Sequence, residues 1–153
     1  MHLCAYVQIK NRSPKGEIMD ENGLLPRTFQ ALSDPTRLRM FRLLAANRTQ
    51  MCVCEFVDSL EERQYAVSRH LKILGLSGLL RKQKEGRRAY YGLDASNPTV
   101  PAFSRLVATL PDPDGTFARD QQKFEEQMPF RRGGDRCRQC TVRRKTRQAI
   151  PAR

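Results

Sequence analysis

Residues Tyr65–Leu76 carry two periodic stripes at once, so this segment must pack on one side and stay available on the other. Val67, Leu71 and Leu74 recur at i, i+4 and i+7, the spacing of an amphipathic helix. Tyr65, Ser68, Arg69 and Lys72 recur at helical spacing on a different face and offer hydrogen-bond donors and cations. Gly78 follows as a fitting C-cap. Beyond it, Leu79–Lys84 and Arg87–Leu93 flank Glu85-Gly86, which predicts a short basic hairpin.

The flanking segments are helical in pattern. Leu25, Phe29 and Leu32 fall at i, i+4 and i+7. Asp34-Pro35 supplies an N-cap and a proline at the first helical position of a second helix. That helix holds Leu38, Phe41 and Leu44, with Arg37, Arg39 and Arg42 predicted towards solvent. Asn47 and Thr49 break it, and a short helix is expected over Met51–Leu60. After the hairpin, Asn97-Pro98 caps a helix striped by Phe103, Leu106, Val107 and Leu110. Pro111, Pro113 and Gly115 end it, and Phe117, Phe124 and Met128 are spaced for one more short amphipathic helix. The expected organisation is an N-terminal arm (1–22), a mainly helical domain with a small β-hairpin (23–110), a short helix (111–130) and a basic tail (131–153). The tail carries cations against a single Asp135, with almost no apolar periodicity, and its composition predicts disorder when alone.

The chain has 28 Lys and Arg against 16 Asp and Glu, a net charge of +12, which favours a polyanionic partner. For a small basic protein nucleic acid is the first candidate, although a charged surface can equally be a solvated face. No run of about 18 apolar residues exists to span a membrane. Met1–Lys15 lacks the apolar core of a signal peptide, so a cytoplasmic location is expected. Five cysteines in a reducing compartment point to ligand or redox roles, and their odd number argues against a complete disulfide framework.

Cys52-Val53-Cys54 places two thiols one residue apart. Read alone, they are either a soft-metal clamp or two small core hydrophobes. In a regular helix residues i and i+2 point about 200° apart, so both sulfurs reach one ion only if the first turn is unwound. A helix N-terminus also lowers a thiol's pKa and favours thiolate.

The order of these elements is that of a winged helix-turn-helix, whose second helix enters the major groove while a basic wing contacts flanking backbone. Five strings carry a more specific likeness: Phe29-Gln-Ala-Leu-Ser-Asp-Pro-Thr-Arg-Leu-Arg, Cys52-Val-Cys-Glu, Val67-Ser-Arg-His-Leu-Lys, Gly78-Leu-Leu-Arg and Glu85-Gly-Arg-Arg-Ala-Tyr-Tyr. In order and spacing they resemble the arsenical-resistance repressor (ArsR/SmtB) family over roughly Leu24–Leu110. The resemblance implies a homodimer, with the helices at Leu25–Leu32 and Phe103–Leu110 forming its interface, and a double-stranded DNA operator as partner. It implies Gln64, Tyr65, Ser68, Arg69 and His70 in the groove, and Lys72, Arg87 and Arg88 on phosphates. Arg63-Gln-Tyr-Ala replaces the usual Ser-Gln-Pro-Thr opening of the reading helix, so the operator sequence cannot be borrowed from relatives.

The same resemblance implies that Cys52 and Cys54 bind As(III) or Sb(III). These soft ions favour three thiolates, yet position 57, where the best-known pattern has a third cysteine, is Val57. The third sulfur then comes from an external thiol, from Cys137 or Cys140 in the tail, or less readily from Cys4. The His and carboxylate site of the zinc, cobalt and nickel branches is missing, since Asn97–Leu110 contains no His, Asp or Glu. The leading expectation is a repressor that leaves its operator on binding As(III) or Sb(III), with no organic cofactor. The alternative is a regulator of the same fold that senses thiol redox state or another soft metal, or has no ligand. An enzyme is not expected: there is no P-loop, dinucleotide fingerprint or plausible Ser-His-Asp set, and Cys137 and Cys140 lie in a basic tail, not after a strand.

Overall fold

A computed structural model of the chain describes residues 23–86 and 88–132. The order of elements is α1 (Leu24–Leu32), α2 (Pro35–Asn47), β1 (Met51–Cys52), α3 (Val53–Leu60), α4 (Gln64–Leu76), β2 (Leu80–Glu85), β3 (Arg88–Leu93), α5 (Thr99–Ala108) and α6 (Thr116–Arg132). The mainly helical fold with a small β-hairpin expected from the sequence is the fold observed: helices packed on a three-stranded antiparallel sheet of order β1-β3-β2.

Local chemistry sets the boundaries. Asp34 Oδ1 accepts from the Arg37 amide at 2.9 Å, and Pro35 opens α2. After α4 the chain closes in a paired turn: the Gly78 amide donates to Gly75 O at 3.1 Å and the Leu79 amide to Leu74 O at 3.2 Å. Gly78 sits there at φ 75°, a conformation that disfavours any side chain. Asn97 Oδ1 accepts from both the amide and the hydroxyl of Thr99 and so starts α5. Met40, Phe41, Leu44, Met51, Phe56, Val67, Leu71, Leu74 and Leu79 form one buried cluster, which also takes in Phe103, Val107 and Phe124. Close packing of this kind is what holds α4 at a fixed angle to α2 and α3.

Three expectations are corrected. The segment from Met51 does not begin as helix: Met51 and Cys52 form a short strand paired with Tyr91 and Tyr90, and α3 starts at Val53. The strand forms because Met51 and Cys52 find antiparallel partners in Tyr91 and Tyr90 of β3, with Met51 fully buried. The hairpin turn falls one residue later than expected, since Glu85 faces Arg88 in register. The arginines of α2 do not simply face solvent. Arg37 donates through Nε to Ala31 O, and Arg42 Nη1 donates to Leu110 O at 3.0 Å while its guanidinium lies 4.1 Å from the Phe117 ring. Arg39 forks onto Asp120 at 2.8 and 2.7 Å and donates to Leu60 O at 3.0 Å. Three guanidiniums therefore tie α2 to its neighbours, because each finds acceptors that the sequence pattern could not show.

Helix α6 runs to Arg132 and packs along α3 and α2. Its buried stripe is Asp120, Phe124 and Gln127. Gln127 Nε2 donates to Ser59 Oγ at 3.0 Å and faces Glu55 O at 3.5 Å, while Lys123 pairs with Glu61.

Candidate functional site

Two surfaces carry chemistry. The first is the junction where β1 becomes α3. Cys52 is the residue before the helix and has extended backbone, φ −85° and ψ 166°, whereas Cys54 lies within the first turn. The two side chains are therefore not held on opposite sides of one regular helix. Cys52 and Tyr90 are buried together, and Cys54 packs against that cluster. Both residues are thiols. Cys52 is 5% exposed and Cys54 is half-buried, which leaves one sulfur nearer to solvent than the other.

Glu55 completes this junction. It is fully buried, and its Oε2 accepts from the Cys52 amide at 2.7 Å in a capping box. The first turn of α3 is thus fixed by an acid one residue from Cys54. Two packed thiols suit a soft ion, but among the described residues no cluster of three metal-ligating side chains occurs. Val57 is half-buried and packs on the core, so its position contributes nothing to a metal. Cys4, Cys137 and Cys140 lie outside the described residues.

The second surface is the outer face of α4 with the hairpin. The buried stripe of Val67, Leu71 and Leu74 leaves Gln64, Tyr65, Ser68, Arg69 and Lys72 exposed, with Tyr65 81% exposed. An aromatic ring so fully in water gains nothing from folding. Arg63, which precedes α4, makes no side-chain cap, in keeping with the missing serine. The turn between α3 and α4 is set by Glu61 in the left-handed region at φ 55°.

His70 does not share the exposed stripe. It is half-buried, and its Nδ1 lies 3.7 Å from Asp34 Oδ1, across at the start of α2. Arg88 begins β3 opposite Glu85 and is also half-buried, while Arg87 lies outside the described residues. More exposed cations are found on β2, an edge strand on which Arg81, Lys82 and Lys84 all face solvent. The sequence reading had not singled these out. Its signal was present in the basic run after Leu80, and edge position supplies the exposure.

A third feature is apolar. Phe29 is 60% exposed and Leu106 51% exposed, from α1 and α5 respectively. Phe29 packs edge-on against Phe103 with ring centroids 5.0 Å apart, so the two helices form one apolar face. No helix among the described residues is long and apolar enough to cross a membrane.

Comparisons with known proteins agree with this geometry. A family model described as "Bacterial regulatory protein, arsR family" matches residues 34–82. The chain is 39% identical to the arsenical resistance operon repressor of Escherichia coli, over 67% of this chain and 80% of that protein. It is 31% identical to a transcriptional repressor SmtB homolog of Synechocystis, over 70% of this chain and 79% of that protein. A homodimeric winged helix-turn-helix DNA-binding domain from Mycobacterium bovis, a possible ArsR-family transcriptional regulator, shares the fold at TM-score 0.51 and 23% identity. That likeness covers 63% of this chain and 86% of that one.

Proposed function

The chain belongs to the ArsR family of bacterial transcriptional regulators and is a DNA-binding repressor, not an enzyme, and from that premise we propose that it is released from its operator by As(III) or Sb(III) held on Cys52 and Cys54. The observation that carries this reading is the packing of Cys54 against Cys52 and Tyr90 at the β1–α3 junction. Two soft donors lie in one packed cluster with Cys52 outside the regular helix, which supports the reading, and a relative 39% identical is an arsenical resistance operon repressor. The donors fit a thiophilic ion: each As–S bond forms as a thiol proton and an arsenite hydroxyl leave as water.

On this reading the repressor binds as a homodimer through the α1–α5 face, where Phe29 and Leu106 are exposed. Twofold symmetry then presents two copies of α4 to a palindromic site. Gln64, Tyr65, Ser68 and Arg69 read base edges, and Lys72, Lys84 and Arg88 lie on phosphates. His70 lies between α4 and the start of α2, its Nδ1 3.7 Å from Asp34 Oδ1.

Release requires that the metalloid bind the DNA-free form more tightly, a coupling of about 1–3 kcal/mol that is reciprocal between the two ligands. Helix α3 is the element between the two sites. It carries Cys54, is capped through Glu55, and leads through the Glu61 turn into α4. An ion pulling on the first turn of α3 therefore acts on the mount of the reading helix.

The test is operator release in phosphine reductant. Arsenite releases the DNA while the thiol oxidant diamide, added without arsenite or reductant, does not. Release by diamide alone identifies a redox sensor instead.

A further inference from the structure

The N-terminal half of α4 carries one exposed side chain unlike its neighbours, and this inference rests on the reading of α4 as the helix that enters the major groove. Gln64, Ser68 and Arg69 stand exposed there and offer hydrogen-bonding groups. Tyr65 lies among them and is 81% exposed. Among the described residues its ring meets no other ring or cation, and its hydroxyl has no hydrogen-bond partner. Tyr90 and Tyr91 differ: Tyr90 is 2% exposed, and Tyr91 packs on the core with Lys82 Nζ 5.9 Å from its ring. Folding gains nothing from the Tyr65 ring, so its apolar surface stays available to a ligand.

Position gives that surface a direction. Tyr65 is the second residue of α4, and in a helix-turn-helix the N-terminal part of the reading helix contacts base edges. Ser68 and Arg69 follow at i+3 and i+4, so the three share one face. Val67, Leu71 and Leu74 are buried on another face and hold Tyr65 outwards. In the major groove, base pairs differ in their donors and acceptors and in one apolar group, the C5 methyl of thymine. Gln64, Ser68 and Arg69 are suited to the donors and acceptors. The methyl needs an apolar surface, and among the exposed side chains of this half of α4 Tyr65 supplies it.

We propose that Tyr65 determines operator specificity by reading a thymine through its C5 methyl, with the ring and not the hydroxyl making the contact. From Tyr65 to Arg69 the helix advances about 6 Å, close to two base steps of about 3.4 Å. The thymine therefore lies about two base pairs from the base that Arg69 contacts. A twofold site presents this thymine once in each half.

The probe is the duplex that the full chain selects most strongly from a random-sequence pool, with its thymines replaced by deoxyuridine one symmetry-related pair at a time. Each replacement deletes methyl groups and leaves every hydrogen-bonding group in place. One pair should matter, and its replacement should weaken wild-type binding about tenfold, as two buried methyls are lost. Tyr65→Ala should bind the thymine and uracil duplexes equally, and Tyr65→Phe should keep the wild-type preference. Both variants should fold as wild type does, because the side chain is in water. The proposal is overturned if no thymine methyl matters, if the methyl effect persists in Tyr65→Ala, or if Tyr65→Phe loses the preference. Arg69→Ala controls for the parent reading: it should lose affinity for the selected duplex and still prefer thymine to uracil. If neither Arg69→Ala nor Tyr65→Ala alters binding, α4 is not the reading helix, and the parent reading fails together with the proposal.

Discussion

The Cys52 amide donates to Oε2 of Glu55 at 2.7 Å, and the carboxylate that receives it is fully buried. One side chain therefore fixes the backbone between the two candidate metalloid ligands. It also fixes the start of the helix that leads into the DNA-reading unit. The candidate ligands and the start of α3 share a single cap.

Glu55→Ala removes that cap and leaves the Cys52 amide without its acceptor. It should lower unfolding free energy by about 1–3 kcal/mol. Glu55→Gln retains an oxygen acceptor and should cost less. Chemical denaturation of both variants checks the order, and an alanine variant as stable as wild type would show that the cap is idle.

Asp120→Ala should cost more than its surface-like sequence context suggests. The side chains of Asp120 and Arg39 are 6% and 19% exposed, and removing one strands the other. The hydrogen bond from Arg39 to Asp120 outweighs the desolvation and raises the arginine's pKa, so the guanidinium stays charged. A loss of about 3 kcal/mol is expected, with part recovered when Arg39→Met is added. Additive losses in that double-mutant cycle would contradict the coupling.

These two cases show where the sequence was legible. The helices around Val67, Leu71 and Leu74, the Asp34-Pro35 start, the Gly78 stop and the basic hairpin all follow from periodicity and capping chemistry. So does the exposed stripe of Tyr65, Ser68, Arg69 and Lys72. What the pattern hid was polar burial. Arg39, Asp120 and Gln127 score as surface residues, and only tertiary pairing across α2, α3 and α6 takes them inside. The short β1 strand was equally hidden, because its residues gain extended backbone only from pairing with Tyr90 and Tyr91. The resemblance implied His70 in the groove; in the structure it is half-buried, with Nδ1 3.7 Å from Asp34 Oδ1, a placement that periodicity alone did not show.

Leu106→Glu places a charge on the apolar α1–α5 face at a residue already half in water, so the protomer should still fold. Sedimentation should show monomers where wild type gives dimers. Operator affinity should fall by about 2 kcal/mol or more, as the second half-site is lost. A dimer of wild-type affinity would move the interface elsewhere.

Arg69→Ala should weaken binding to the specific operator by about 1–3 kcal/mol and relax its sequence preference. Lys84→Ala, on the exposed edge strand, should weaken all sequences alike and flatten the salt slope by about one unit. Competition titrations at several salt concentrations separate the two. Equal losses that ignore sequence would place Arg69 on phosphate.

The central claim is that the thiol pair converts metalloid binding into operator release. Its most direct measurement is fluorescence anisotropy of a labelled operator complex titrated with arsenite, for wild type and for Cys52→Ser with Cys54→Ser. All samples are kept reduced by a phosphine. Both proteins should bind the operator with the same affinity, since neither cysteine lies on the exposed face of α4. Wild type should release it as arsenite rises, and the variant should stay bound throughout. Release of the variant at wild-type arsenite concentrations would contradict the account.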